Sequence, residues 1–222
     1  HHAVIQLYRP QTGDPLVMME ARLITEMRTA GASPLASKLL ARSEAPVLAI
    51  LGSGVQAHSH LEALRLVRTF REIRVWSPRN ARSFAEQHGV SAAGSAEEAV
   101  RGAGVAVVAT SSRRPVLLGE WLGAGTHINA VGACRPDWRE LDDDALRKSR
   151  LYVDSREAAT RESGDVIAGG NVFAEIGEVL SGVRPGRESA EEITLFKSVG
   201  VAVEDVIAAD LVYRKAVESG VV

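Results

Sequence analysis

Two hydrophobic periods run through this chain. Short apolar runs without polar alternation, Val47–Leu51, Val105–Ala109 and Leu151–Val153, read as buried strands. Between them, apolar residues recur every three or four positions, as on one face of a helix. Ahead of the first such run, Ala3–Tyr8 is β-branched and aromatic, Thr12-Gly13-Asp14 is a turn signal, and Leu16–Met19 makes the second arm of a hairpin. From Glu20 to Arg42 the spacing of Leu23, Met27, Ala30, Leu35, Leu39 and Leu40 predicts helix, and Gly31 and Pro34 are expected to split it in two. Ser43–Pro46 reads as a connector and a domain boundary.

The pattern continues in alternation. Val55–Thr69 is helical, with Ala57, Leu61, Leu64 and Val67 on one stripe. Ile73–Trp76 is a strand and Asn80–His88 a helix with Phe84 inward. Ser95–Arg101 is a helix with Ser95 as N-cap and Glu98 closing a capping box. His127–Val131 is a further strand, and Asp142–Lys148 a helix. After Asp154 the pattern is less regular: Val183–Arg187 is a loop and Thr194–Val199 is extended. Val201–Ser219 is a last helix striped by Val203, Ile207 and Leu211, with Glu204 and Asp205 in its first turn, where the helix dipole favours acids. Short strands alternating with helices predict an α/β fold with a doubly wound parallel sheet.

Composition narrows the picture. The chain has 222 residues, enough for one large domain or two small ones, and a net charge of -2, which argues against nucleic acid or an anionic membrane as partner. No apolar run approaches the roughly 20 residues that cross a bilayer, and no charged-then-apolar leader is visible. The lone Cys134 rules out an internal disulfide and suits a cytoplasmic setting. The six histidines form no metal-ligand pattern: His58 and His60 stand two apart on a helix and point apart.

The stretch with chemistry in it is Gly52-Ser53-Gly54-Val55-Gln56-Ala57, directly after an apolar strand and opening a helix. Gly52 permits the tight turn. Gly54 lets backbone approach a pyrophosphate. Ala57 allows close helix–sheet packing, and the helix N-terminus faces the anion. The alternative is an ordinary strand-to-helix turn that binds nothing. After the second strand an NAD site would place an acid for the ribose hydroxyls. Here Trp76 is followed by Ser77-Pro78-Arg79-Asn80, so NADP is expected, with NAD possible. Ser77, Arg79 and Arg82 are candidates for the 2′-phosphate, and Asn80 beside them is a further candidate for cofactor binding.

Thr110 and Ser111 follow the Val105–Ala109 strand, and Asn129, Val131 and Gly132 end the next one, where ligands collect in parallel sheets. Asp137 is open to two readings, proton donor or helix cap for Trp138 onward. Cys134 has no activating partner in sequence. Arg28, beside Thr29, is either a surface arginine or a clamp for a substrate carboxylate.

Five stretches together resemble the ornithine cyclodeaminase/mu-crystallin family: LITEMRTAGASPLASKLLA, ILGSGVQAHSHLEAL, GEWLGAGTHINAVGACRPDWRELDD, YVDSREAATRESGDV and FKSVGVAVEDVIAADLVY. The resemblance covers nearly the whole chain, and Ala133–Asp144 is most similar to the mu-crystallin branch of ketimine reductases. It implies a Rossmann-type domain, residues 45–199, inserted into a smaller substrate-binding and dimerisation domain to which 1–44 and 200–222 belong. It implies that Arg28, in its R-T-A motif, holds the substrate carboxylate with Thr29 beside it, and that Ser198-Val199-Gly200 come near the nicotinamide. It implies a homodimer acting on a small imino or amino acid. Cyclodeaminases carry a catalytic Asp where this chain has Cys134, so imine reduction is expected ahead of ornithine cyclisation. A binding protein without turnover is the other alternative. The family also implies an N-terminal segment ahead of Ala3, with a lysine that contacts substrate.

Overall fold

Eight parallel strands make one sheet in the computed structural model, which describes residues 3–221. His1, His2 and Val222, the outer ends of the expected 1–44 and 200–222 ranges, lie outside the described residues. The chain opens with an antiparallel hairpin, β1 (Val4–Tyr8) and β2 (Pro15–Glu20), turned at Gly13 with φ +77°. Helix α1 (Arg22–Leu40) then leads to β3 (Val47–Leu51), α2 (Val55–Arg65), β4 (Glu72–Trp76), α3 (Ala81–His88), β5 (Ser91–Ala92), α4 (Ala96–Val100) and β6 (Val105–Val108). The second half runs β7 (His127–Ala130), α5 (Asp143–Lys148), β8 (Ser149–Val153), α6 (Arg156–Glu162), α7 (Gly164–Ile167), β9 (Val172–Glu175), α8 (Ile176–Leu180), β10 (Ile193–Lys197) and α9 (Ala202–Glu218). The sheet order is β5-β4-β3-β6-β7-β10-β8-β9, so the direction of winding reverses beside β3 and β6.

Alternation along each strand sorts the core into layers. Ala49, Leu51, Ala106, Val108, Ile128, Ala130, Leu151 and Leu195 share one face with residues of α4, α5 and α6. Leu48, Ile50, Val105 and Val107 face α2 and α3. On that second face, over the other half of the sheet, Tyr152 and Phe196 pack against Ala36 and Leu40 of α1. Burying each large apolar side chain contributes about 1.5–3 kcal/mol. Both faces are covered, which is why these strands carry no polar alternation.

Helix α1 departs from expectation: it runs unbroken through Gly31 and Pro34. Pro34 lacks an N–H, so the ladder loses its bond to Ala30 O, and burial of Ala30, Ala36 and Leu40 holds the helix in one piece across that gap. Polar contacts then fix α1 to the sheet. Ser33 Oγ is 2.9 Å from His60 Nε2, and Asn129 Nδ2 donates to Ser37 Oγ at 3.0 Å. Arg68 donates to the carbonyls of Ser37 and Arg42 (2.7 Å each), while Arg187 Nε and Thr194 Oγ1 donate to Leu40 O. These arginines answer the carbonyls left over at the helix C-terminus. His60 and His127 are both fully buried, and burial lowers their pKa from 6.5 to about 4 and about 3, so both are neutral.

Smaller corrections follow from local geometry. Ser95 caps α4 by accepting from Glu98 N at 3.0 Å, but the Glu98 carboxylate accepts from Gly94 N rather than from Ser95. No helix begins at Trp138; α5 starts later, capped by Asp142, so Asp137 is not a helix cap. The stretch after Asp154 is regular after all, built of α6, α7, β9 and α8. Among the described residues, no helix is long and apolar enough to cross a membrane, and no group of three His, Cys, Asp or Glu could hold a metal ion.

Candidate functional site

The turn from β3 into α2 borders a cleft of about 760 Å³ at the carboxyl edge of the sheet, beside the point where winding reverses. Gly52 has φ +121°, and a Cβ there would come 2.3 Å from Ala109 O. Only glycine fits where the end of β3 meets the end of β6. Gly54 is different. Its φ is -88°, and a Cβ would meet no atom within 4 Å. Neither backbone nor packing calls for glycine there; the space left open faces the cleft at the α2 N-terminus. Ala57 is fully buried against β3 and its neighbours. Ser53 Oγ donates to Ser77 Oγ at 2.9 Å, joining the two turns, and Ser77 Oγ accepts from Asn80 N at 3.1 Å. Arg79 and Arg82 are exposed and pair with no acid among the described residues.

The cleft thus brings together Gly52, Ser53, Gly54, Val55, Gln56, Ser77, Arg79, Asn80, Thr110 and Ser111. It does not include Asn129, Val131, Gly132, Ser198, Val199 or Gly200. Asn129 is fully buried, and its side chain is taken up by Ser37 and by His127, 3.2 Å away. It faces α1, so only its backbone is left for the carboxyl edge. Val131 is buried and donates from its N–H to Val108 O. A Cβ on Gly132 would stand 2.4 Å from both Thr110 O and Glu140 Oε1.

The turn beyond β7 is strained. Ala133 has φ +51°, a left-handed conformation that costs a residue with a Cβ about 1–3 kcal/mol. Cys134 follows at the tip, an exposed residue whose thiol turns back to Val131 O at 3.3 Å, and partial desolvation there raises its pKa. Asp137 is exposed and accepts no hydrogen bond among the described residues. Trp138 is flanked by Arg113 and Arg135, 5.4 and 5.1 Å from its ring centre, joining the loops after β6 and β7.

Arg28 lies with the loop after β10. Its Nε donates to Asp205 Oδ1 at 2.9 Å and its Nη1 to Glu204 Oε2 at 3.0 Å. A Cβ on Gly200, which has φ +84°, would stand 2.4 Å from Arg28 Nη1. Nη2 donates to nothing among the described residues. Burial raises the Glu204 pKa, with Arg28 opposing. Thr29 spends its hydroxyl on Thr25 O at 2.7 Å.

Sequence reasoning passed over four charged residues. Asp154, just past β8, accepts from Ser198 Oγ (2.9 Å) and from the N–H groups of Val199 and Gly200, so one carboxylate shapes the loop under Arg28. Glu140 is fully buried and accepts from Thr110 N and Oγ1, and burial pushes it up to about 7. Lys197 and Asp165 complete that cluster, and burial raises Asp165 as well. The available signal was a charge closing an apolar strand, at Val153-Asp154 and at Phe196-Lys197.

The profile of the ornithine cyclodeaminase/mu-crystallin family matches residues 1–220. The chain belongs to that family. Among its members, the mouse ketimine reductase mu-crystallin is 50% identical over 218 residues, 96% of this chain and 69% of its own. The solved Δ1-pyrroline-2-carboxylate reductase of Thermococcus litoralis, in complex with NADH and L-proline, superposes with a TM-score of 0.94 at 44% identity, over 99% of this chain and 73% of that one. An archaeal alanine dehydrogenase dimer with bound NAD gives 0.93 at 42% identity, over 99% and 72%. The chain therefore shares the family's α/β fold, with the eight-stranded parallel sheet at its centre.

Proposed function

We propose that this chain is an NAD(P)H-dependent reductase of a small imino acid. One observation carries the reading: Gly54 opens onto a cleft that its own backbone and packing leave free, at the carboxyl edge of a doubly wound sheet. Family members named for ketimine reduction and for Δ1-pyrroline-2-carboxylate reduction support the chemistry. When bound, a nicotinamide cofactor supplies a hydride. Gly52–Gln56 would hold its pyrophosphate and Thr110, Ser111, Val131, Gly132 and the 198–200 loop its nicotinamide end.

NADP is preferred over NAD. Ser77, Arg79, Asn80 and Arg82 present two cations, two side-chain polar groups and no carboxylate where the 2′-phosphate would lie. Arg28 receives the substrate carboxylate on Nη2 while Nε and Nη1 stay on Asp205 and Glu204. The guanidinium is therefore fixed before substrate arrives, and orientation is its main contribution. The imine nitrogen takes its proton from a bound water, with Asp137 as the alternative donor.

We assign residues 45–199 to the cofactor-binding domain and 1–44 with 200–222 to a substrate-binding and dimerisation domain, whose helix α1 packs on the sheet. A homodimer is favoured by the apolar positions α9 leaves exposed, among them Val203, Ile207 and Leu211, and by exposed Met18 on β2 and Leu23 on α1. A cytoplasmic location accords with the single thiol.

The test is NADPH and NADH oxidation by the full-length protein over a panel of cyclic and linear imino acids, with ornithine assayed for ammonia and proline. Turnover on an imino acid supports the proposal. Proline and ammonia from ornithine without net oxidation would move the chain to the cyclodeaminases, and stoichiometric binding without turnover to binding proteins.

A further inference from the structure

Beneath the carboxyl ends of β6, β7 and β10 lies a cluster of ionisable groups closed to solvent: Glu140, Asp165 and Lys197. Lys197 continues the face of β10 that carries Ile193 and Leu195, where an apolar residue would pack without desolvating a charge. Taking three ionisable groups out of water is costly unless each is held. Each holds a different piece of backbone. Glu140 Oε1 accepts both Thr110 N (2.7 Å) and Thr110 Oγ1 (2.6 Å) at the end of β6. The Lys197 ammonium donates to Gly132 O at the end of β7. Asp165 joins the two: its Oδ1 accepts from Glu140 N at 3.0 Å and its Oδ2 lies 3.9 Å from Lys197 Nζ. The three loops meet without slack, since a Cβ on Gly132 would fall 2.4 Å from both Glu140 Oε1 and Thr110 O.

We propose that Glu140 and Lys197 are positioning residues for the nicotinamide end of the cofactor, fixing Thr110 and Gly132 at one spacing while taking no part in holding the adenosine end. This rests on the dinucleotide reading of the cleft. The adenosine end is built on a separate pair of turns, joined by Ser53 and Ser77, which the buried cluster does not touch. Disturbing the cluster should therefore divide the cofactor into an affected half and an unaffected one.

The test uses the full-length protein and two pairs of probes, NADPH against 2′,5′-ADP and NADH against ADP. Glu140→Ala and Lys197→Met are expected to weaken the intact dinucleotide by about tenfold or more, with the adenosine fragment held within about twofold. Glu140→Gln keeps an oxygen acceptor for Thr110 and should recover most of the loss. If Glu140→Ala does not fold, Glu140→Asp, which withdraws the carboxylate from Thr110, is expected to give the same selective loss. Equal affinities in all variants, or equal losses for dinucleotide and fragment, would overturn the proposal. Failure of the wild type to bind either dinucleotide would instead overturn the reading of the cleft.

Discussion

Arg28 reaches across 177 positions of sequence to Asp205, its Nε 2.9 Å from the carboxylate Oδ1. The contact joins the middle of the first helix to the first turn of the last, beside the Gly200 backbone. Acids in that turn suit the helix dipole, and here they also hold a cation in place. Arg28→Ala is expected to raise KM for the imino acid about tenfold to a hundredfold, the value of one charge-assisted contact. NADPH affinity should not change. Steady-state kinetics with a fluorescence titration separate the two; equal loss of both would count against the carboxylate role.

The two glycines of the turn should respond in opposite ways. Gly52→Ala forces a Cβ to 2.3 Å from Ala109 O at φ +121°, so it should cost on the order of 3 kcal/mol of stability, read as a lower denaturant midpoint. Gly54→Ala meets nothing in the protein and should leave the midpoint alone while weakening dinucleotide binding.

Cofactor choice turns on Arg79. With no acid among Ser77–Asn80, Arg79→Ala should lower NADPH affinity by about tenfold, near 1.4 kcal/mol, and leave NADH affinity within about twofold. Paired titrations of one variant decide it, and a parallel fall for both cofactors would remove Arg79 from the 2′-phosphate site.

Acid should loosen the fold through its buried histidines. His60 and His127 have pKa values lowered by burial from 6.5 to about 4 and about 3. Below 6.5 the unfolded chain takes up protons that the folded chain refuses, so the stability they contribute is full above that pH. It is lost as pH falls through 4 and 3. For His60 the effect is on the order of 3 kcal/mol. Melting temperature against pH should fall across that window, with a shallower slope in His60→Gln.

Asp137→Asn tests the source of the proton. The carboxylate is exposed at the tip of its turn, so kcat should stay within about threefold if water delivers the proton. A much larger fall would give the role to Asp137.

What the sequence disclosed follows physical lines. Strand, glycine turn and helix from Val47 to Arg65 were legible because period, glycines and order all agree locally. Helices α6, α7 and α8 were not, being four to seven residues long and too short to show a period. Side-chain caps define them instead: Ser155, Ser163, and the Glu175–Glu178 box. The place of β10 between β7 and β8 is a long-range pairing with no local mark. Glu140, Asp154 and Lys197 were hidden for the same reason, since each acts on a loop from another part of the chain. Arg28 was the middle case: ambiguous as a helical arginine, and singled out by the family resemblance.

Imine reduction by a nicotinamide cofactor is tested most directly by isotope transfer. The full-length protein is given NADPH doubly deuterated at C4 and a panel of small imino acids, and the amino-acid product is weighed. One deuterium on the product's α-carbon is expected, with one NADPH oxidised per product formed. Product without deuterium, or no product despite stoichiometric NADPH binding, would contradict it.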